Sequence, residues 1–299
     1  MTMSVQTLFQ HLANGISLGS LYALIAIGYT MVYGILRLVN FAHGEIFMLG
    51  AYIAFYGMAY TPLPWWLVFI LAALLTGVMG LLIERLAYRP LRGKARITVL
   101  ISAIGVSFLI QNLAILIFGG RPKAFPVPDI FSGILVIRGV SISTVTFVIP
   151  AVTLILLFAL TYWINKTKTG MAMRALSKEY EAASLMGIDI NKVISITFFV
   201  GSFLGAVGGI MWGIKYPQLI PLMGVIPGIK CFIAAVIGGI GNIKGAVVGG
   251  FILGLGEILL VAVFPSMTGF RDAFAFVLLI IILLIKPTGL MGEKIAEKV

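Results

Sequence analysis

The sequence predicts an all-α fold, a polytopic transmembrane bundle of about eight or nine spans. Three observations predict it. Hydrophobic residues make up 61% of the 299 positions and charged residues only 10%, where a soluble domain carries about 25% charge. Mean hydropathy is +1.13. Apolar runs of about 20 residues recur along the chain, the length a helix needs to cross a ~30 Å hydrocarbon core. Such a chain cannot clothe its surface in polar side chains. A soluble enzyme, a nucleic-acid-binding module and a disordered tail are excluded as descriptions of the whole. The net charge of +11 fits cytoplasmic loops facing anionic lipid rather than nucleic acid. The single cysteine, Cys231, allows neither a disulfide framework nor a cysteine metal site.

The first span is read at 10–36. Its apolar stretch, Val5 to Leu36, is too long for a signal-peptide core, and no Lys or Arg precedes Arg37. Further spans follow at 42–60, 65–84, 97–118, 144–164 and 193–213. A glycine-interrupted pair comes next, 226–242 and 245–264, and then 270–286. Gly238, Gly239, Gly241 and Gly245 break up the pair, so a broken or re-entrant piece is expected near 226–250. Such a piece is tolerated at membrane depth only where protein or a water-filled cavity covers its backbone. Basic residues set the direction. Arg37, Arg85, Arg89, Arg92, Lys94, Arg96, Lys166, Lys168, Arg174, Lys178, Lys192, Lys244, Lys286, Lys294 and Lys298 all fall on one side if the spans alternate. That is 15 of the 21 Lys and Arg residues, so that side is expected to be cytoplasmic. The N-terminus then lies outside and the C-terminus inside. Residues 1–299 read as one integral membrane domain, with 165–192 as a cytoplasmic loop within it.

Several chemistries leave no trace. No G-x-x-x-x-G-K-[ST] phosphate loop is present, so the chain is not expected to hydrolyse ATP, and no catalytic residues are assigned. The two histidines, His11 and His43, lie far apart and make no metal-ligand spacing. In loop 165–192, Met173, Leu176, Tyr180 and Ala183 recur at helical spacing on one face, and Gly187 is placed to end the helix. Ala182 and Ala183 give it a low profile. This stretch reads either as a helix docking on another protein or as an amphipathic helix resting on head groups, and periodicity leaves both open.

The stretch Glu181-Ala182-Ala183, with Gly187 four residues on, resembles the coupling loop of ABC importer permeases. Asn40-Phe-Ala-His-Gly-Glu45 after the first span resembles the branched-chain amino acid permease family. So do Ile237-Gly-Gly-Ile-Gly-Asn242 followed by Gly245-Ala246 and Gly249-Gly250, and the ending Lys286-Pro-Thr-Gly-Leu-Met-Gly292. The likeness runs over nearly the whole chain. The proline that ends many coupling loops is absent, since this loop continues through Asn191-Lys192. The resemblance implies the integral permease subunit of an ABC importer in a bacterial inner membrane. It implies leucine, isoleucine or valine as substrate, with urea, short amides or other amino acids as the alternative cargo of similar permeases. It further implies a second related permease, two cytoplasmic ATPase subunits holding ATP and Mg, and a periplasmic binding protein. No cofactor is expected in this chain. Leu176, Tyr180, Glu181, Ala182, Ala183 and Gly187 become the expected ATPase-coupling residues.

Other residues stand out by type and place. Gly201, Gly205, Gly209 and Gly213 repeat every four residues, the spacing for close helix packing. Asn40 can cap the following helix and Glu45 can complement its dipole. Arg37 is near enough in sequence to pair with Glu45. His43 reads as a hydrogen-bonded structural residue. Glu257, Gln111 and Asn112 are polar residues inside spans, and an ionisable residue there points by default to function. Each fits either a pathway or an interhelical hydrogen bond. A secondary transporter driven by protons or sodium, with Glu257 as its coupling acid, is the reading of another class.

Overall fold

The computed structural model describes residues 5–137 and 140–292. Lys294 and Lys298 lie outside the described residues, as does Arg138. The α-helices are α1 (Val5–Leu36), α2 (His43–Tyr60), α3 (Trp65–Ile83), α4 (Arg96–Phe118), α5 (Val145–Lys166), α6 (Lys168–Lys178), α7 (Tyr180–Leu185), α8 (Ile190–Lys215), α9 (Val225–Gly238), α10 (Ile243–Val263) and α11 (Arg271–Ile285). α3 runs on through one π-helical turn (Glu84–Tyr88) and a 3-10 turn (Arg89–Leu91). All nine segments read as spans are helical. Among the described residues seven helical stretches are long and apolar enough to cross a membrane. α2 has 18 residues and α9 only 14. At 1.5 Å per residue α9 is about 21 Å long, too short for a ~30 Å core. The interruption expected near 226–250 therefore falls on α9, while α10 is continuous. Gly239 (φ 108°) and Gly241 (φ 90°) turn the chain between them, and Asn242 Oδ1 caps α10 by accepting the Gly245 N–H at 3.1 Å.

α1 is the axis of the bundle, buried over most of its length between α10, α8, α5 and α9. Small residues permit this. A Cβ on Gly250 would stand 2.5 Å from the Ala23 nitrogen, and one on Gly19 2.9 Å from Phe251 Cα. α1 and α10 thus meet at backbone distance, and any side chain at these glycines would force them apart. α4, α5 and α11 lie at the periphery, with most of their apolar side chains exposed.

α2 begins deep inside the bundle. Arg37 (φ 52°) reverses the chain after α1, and 38–42 climb back until the His43 ring meets the Ile25 carbonyl. α1 continues 11 residues beyond Ile25, about 16 Å. The start of α2 is therefore covered by protein on several sides, including Gly224 and Gly228 at the start of α9.

Two small antiparallel sheets, not anticipated from the sequence, fold one end of the molecule. β1 (Lys123–Ala124) pairs with β4 (Gln218–Leu219), and β2 (Ile134–Ile137) with β3 (Val140–Ser143). Gln10 near the start of α1 donates to the Ser141 carbonyl at 3.3 Å. The opposite end carries the basic loops.

The loop 165–192 departs from the single helix expected. α6 and α7 are separate, broken at Glu179 in extended conformation (φ −147°, ψ 114°). Met173 and Leu176 lie on the first, Tyr180 and Ala183 on the second. Met173, Leu176 and Ala183 are buried, but Tyr180 is exposed.

Candidate functional site

The polar residues of the first turnaround gather around the buried start of α2. Asn40 does not cap it from the N-cap position, which Ala42 occupies without a side-chain hydrogen bond. Its Oδ1 instead accepts from the Ala42 N–H at 3.1 Å and from the Tyr88 hydroxyl at 2.8 Å. The turn after α3 is thereby tied to the start of α2. The His43 ring nitrogen Nε2 lies 3.1 Å from the Ile25 carbonyl, and the ring edge packs on Tyr29 at 5.8 Å. Glu45 is buried, and among the described residues it forms no ion pair with Arg37. Its Oε1 accepts from Gln111 Nε2 at 2.7 Å and from Ser107 Oγ at 3.2 Å, both on α4. Arg37 sits at the reversal itself, so short separation in sequence did not bring the pair together. Asn112, one residue on from Gln111, points to another face of α4 and bonds its own helix at the Phe108 carbonyl.

Glu257 belongs to a second constellation, buried except for Asp272. Its Oε1 forms an ion pair with Lys230 Nζ at 2.9 Å, and Oε2 accepts from the Tyr22 hydroxyl at 3.2 Å. Lys230 also meets Asp272 Oδ1 at 2.7 Å. Four helices, α1, α9, α10 and α11, contribute one side chain each. Sequence reading missed Lys230, a single cation diluted in an apolar run. Its charge opposite to Glu257, in the next predicted span, was the signal available.

The glycines of α8 face inward. A Cβ on Gly209 would collide with the Phe47 carbonyl oxygen, one on Gly201 would stand 2.9 Å from the Gly28 oxygen, and one on Gly213 3.0 Å from the Phe125 ring. Gly205 is looser, its nearest neighbour being the His43 ring at 3.4 Å. Gly201, Gly205 and Gly209 pack within this chain against α1 and α2, and Gly213 packs against Phe125, just after β1.

At the basic end, α6 and α7 enclose an open apolar groove of about 380 Å³ lined by Met171, Ala172, Ala175, Ala182, Ala183 and Met186, with Lys168 and Glu179 at its edge. Thr167 caps α6 by accepting the Gly170 N–H at 3.1 Å. Gly187 (φ 77°) ends α7, with Gly187 N–H to the Ser184 carbonyl at 3.0 Å and Ile188 N–H to the Ala183 carbonyl at 3.2 Å. That paired pattern is the Schellman cap, which favours glycine. Glu181 and Ala182 are exposed, whereas Ala183 packs inward. Leu185 and Met186 protrude beside the groove. The loop is anchored from α3: Glu84 pairs with Arg92 and accepts from Ser195 Oγ at 2.8 Å, while Arg92 donates to Asn191 Oδ1 at 2.6 Å. Burial lowers the Arg92 guanidinium from its usual range, and the neighbouring Glu84 pulls it back up.

The two glycine-bearing motifs near the end of the chain come together. Leu290 and Met291 donate their N–H groups to the carbonyls of Ile237 and Gly238, each at 2.8 Å, and Asn242 Nδ2 donates to the Met291 carbonyl at 2.8 Å. Among the described residues no cluster of His, Cys, Asp and Glu could hold a metal ion.

The family model of the branched-chain amino acid transport system permease component matches residues 11–283. The chain belongs to this family. The permease is 44% identical over 301 residues to the high-affinity branched-chain amino acid transport system permease protein BraD of Pseudomonas aeruginosa, covering 97% of each chain. It is 43% identical to the corresponding protein LivH of Escherichia coli K12, covering 99% of this chain and 100% of that one. A more distant relative is the xylose/arabinose import permease protein XylH of Sulfolobus acidocaldarius, 30% identical over 83% of this chain. The permease is thus a multi-pass membrane transport subunit.

Proposed function

We propose that the permease carries leucine, isoleucine and valine inward across a bacterial inner membrane as one half of an ABC importer. One observation carries the reading: end-to-end likeness, at 43–44% identity, to two proteins named as high-affinity branched-chain amino acid permeases. Two ATPase subunits hold ATP and Mg and dock at the basic end. A second, related permease completes the membrane part, and a periplasmic binding protein delivers substrate to the end bearing β1–β4. The membrane domain is continuous from 1 to 299. The apolar groove between α6 and α7, flanked by exposed Leu185 and Met186, supports docking of a protein over a head-group rest. A helix lying on lipid would turn its apolar side chains to the membrane, whereas this groove is concave. The basic end is cytoplasmic, which sets the N-terminus outside and the C-terminus inside. Cysteines placed near Pro126 are then labelled from outside by an impermeant reagent, and those near Lys178 are not. The reverse pattern would overturn the orientation and the docking assignment together.

The reading of Glu257 as a proton- or sodium-coupling acid loses support from Lys230, which supplies the missing cation from within the chain. Reconstitution decides between them. The permease assembled with its ATPase subunits and binding protein takes up leucine and valine only with ATP. Uptake of urea in preference to leucine would shift the substrate class, and uptake by the chain alone on a proton gradient would remove the ABC assignment.

A further inference from the structure

Among the described residues three carboxylates are buried, Glu45, Glu84 and Glu257, and their surroundings differ: Glu84 pairs with Arg92. Glu257 has a cation of its own in Lys230. Glu45 is only 2% exposed, yet among the described residues no Lys, Arg or His forms an ion pair with it. Its two oxygens are unequal. Oε1 takes two donors, Gln111 and Ser107. Oε2 is buried and has no hydrogen-bond partner among the described residues. Gln111 also donates to Ser107 at 3.2 Å, so the α4 side chains hold each other and the carboxylate in one orientation. A charge in hydrocarbon without a counter-ion is costly, and a pair of donors on one oxygen only leaves the other aimed at something absent.

A second orphan lies on the same helix. The Tyr52 hydroxyl is buried without a hydrogen-bond partner among the described residues. Buried tyrosine hydroxyls usually find one. Tyr52 is two turns from Glu45, about 10 Å along the axis, on the same face of α2. Its ring stacks flat on Phe118 of α4 at 4.3 Å and 6°. Both orphans thus lie along the seam between α2 and α4. Toward the β1 end the seam continues as stacked rings, Tyr56 at 6.5 Å from Tyr52 and Tyr60 at 5.8 Å from Tyr56. Lys123 sits 5.8 Å over the Tyr56 ring. From that end the seam presents a cation, then aromatic faces, then an unpaired hydroxyl, then an unpaired carboxylate.

We infer that the α2–α4 seam is the permease's own binding site for a zwitterionic amino acid, with Glu45 Oε2 receiving the α-ammonium and the Tyr52 hydroxyl donating to the α-carboxylate. This deepens the functional reading above and rests on it. Gln111 and Ser107 are positioning residues: they hold Glu45 by one oxygen and leave the other for the ligand. Here the Phe118 ring covers Tyr52. α4 must swing off α2 to admit a ligand, and α4 is held lightly, most of its apolar side chains facing outward.

The test uses the purified complex with its ATPase subunits and permease partner, and measures equilibrium binding of labelled leucine in each nucleotide state. Two competitors dissect recognition: leucinamide keeps the ammonium and lacks the carboxylate, while 4-methylpentanoate keeps the carboxylate and lacks the ammonium. Wild-type uptake of leucine is established first, and a complex that carries none ends the functional reading rather than this one. Glu45→Gln weakens leucine binding by about tenfold or more and erases the preference over 4-methylpentanoate. Tyr52→Phe erases the preference over leucinamide. Tyr52→Phe removes a hydroxyl that bonds to none of the described residues, so folding is spared, and it keeps the test decisive if Glu45→Gln fails to assemble. Wild-type competitor ratios in Tyr52→Phe overturn the inference. So does an equal loss for all three ligands in Glu45→Gln, which marks a merely structural carboxylate, and so does a wild-type complex that transports leucine yet binds none in any state.

Discussion

Lys230 and Glu257 meet at 2.9 Å in a part of the bundle where both side chains are almost fully covered. Loss of the Lys230 charge strands Glu257, whereas loss of the Glu257 charge leaves Lys230 its second partner, Asp272. Removing one member of a buried pair costs about 3–5 kcal/mol, whereas replacing both by apolar groups is often neutral. Lys230→Met leaves two carboxylates together and is expected to be worse than Glu257→Gln, which leaves Asp272 on the lysine. The double change Lys230→Met/Glu257→Leu recovers most of the stability. Thermal unfolding of the detergent-purified complex gives the cycle. Additive losses in the double variant would sink the pairing argument. Uptake by Glu257→Gln, scaled to folded protein, stays ATP-driven and indifferent to a proton ionophore.

The glycines of α8 are not equivalent. Gly209→Ala drives a methyl into the Phe47 backbone, and backbone cannot rotate aside as a side chain can. Gly205→Ala meets the His43 ring at ordinary contact distance. The first is expected to lose most membrane-inserted, monodisperse protein, and the second to keep it. Equal yields would show that α8 does not pack on α2 as described.

Gly187→Val and Ala182→Trp probe the loop in different ways. At Gly187 no atom of a neighbour lies within 4 Å of an added Cβ, so the fault is wholly in the backbone. A β-branched residue held at φ 77° costs on the order of 1–3 kcal/mol, enough to fray the end of α7. Ala182 lines the groove and faces solvent, so a tryptophan there leaves the loop intact and blocks what docks on it. Ala183→Trp is the poorer test, because Ala183 is buried within the chain itself. Capture of ATPase subunits and substrate-stimulated ATP turnover are the readouts. Wild-type values for Ala182→Trp would move the docking surface elsewhere.

Deleting residues from Leu290 onward removes two backbone hydrogen bonds to Ile237 and Gly238 and the acceptor of Asn242 Nδ2. At about 1 kcal/mol per bond, the turn between α9 and α10 should loosen measurably. Faster amide exchange at Gly239 to Asn242 than in the full chain checks this. Unchanged exchange would mean that the turn is held by its own glycines.

The helices were legible because lipid imposes a length, and each apolar run declared itself. The short α9 was legible as an interruption, since Gly238 to Gly245 punctuate it. Less visible was anything that depends on where a chain goes after it turns. Arg37 and Glu45 are eight positions apart, yet one sits at a reversal and the other deep on α2 against Gln111. The break at Glu179 escaped because helical spacing carried straight across it: Met173, Leu176 and Ala183 still converge, by folding back rather than by staying on one helix. Lys230 vanished in a hydropathy average. Tyr52 looked like one more aromatic, and only the absence of a partner for its hydroxyl among the described residues set it apart.

The two residue pairs Lys123↔Leu219 and Ala124↔Gln218 fasten the chain beyond α4 to the chain just after α8. α4 is therefore a lever with one pinned end. Any rigid swing displaces its atoms in proportion to their distance from Phe118, so Gln111, seven residues away, moves less than half as far as Thr98, twenty residues away. The seam on α2 then opens like a book toward the basic end, the side of release, while the rings around Tyr56, on the side of delivery, stay shut. Distances between spin labels on α4 and α2, measured with and without nucleotide, would show that gradient, and a uniform change along α4 would show that the clasp lets go.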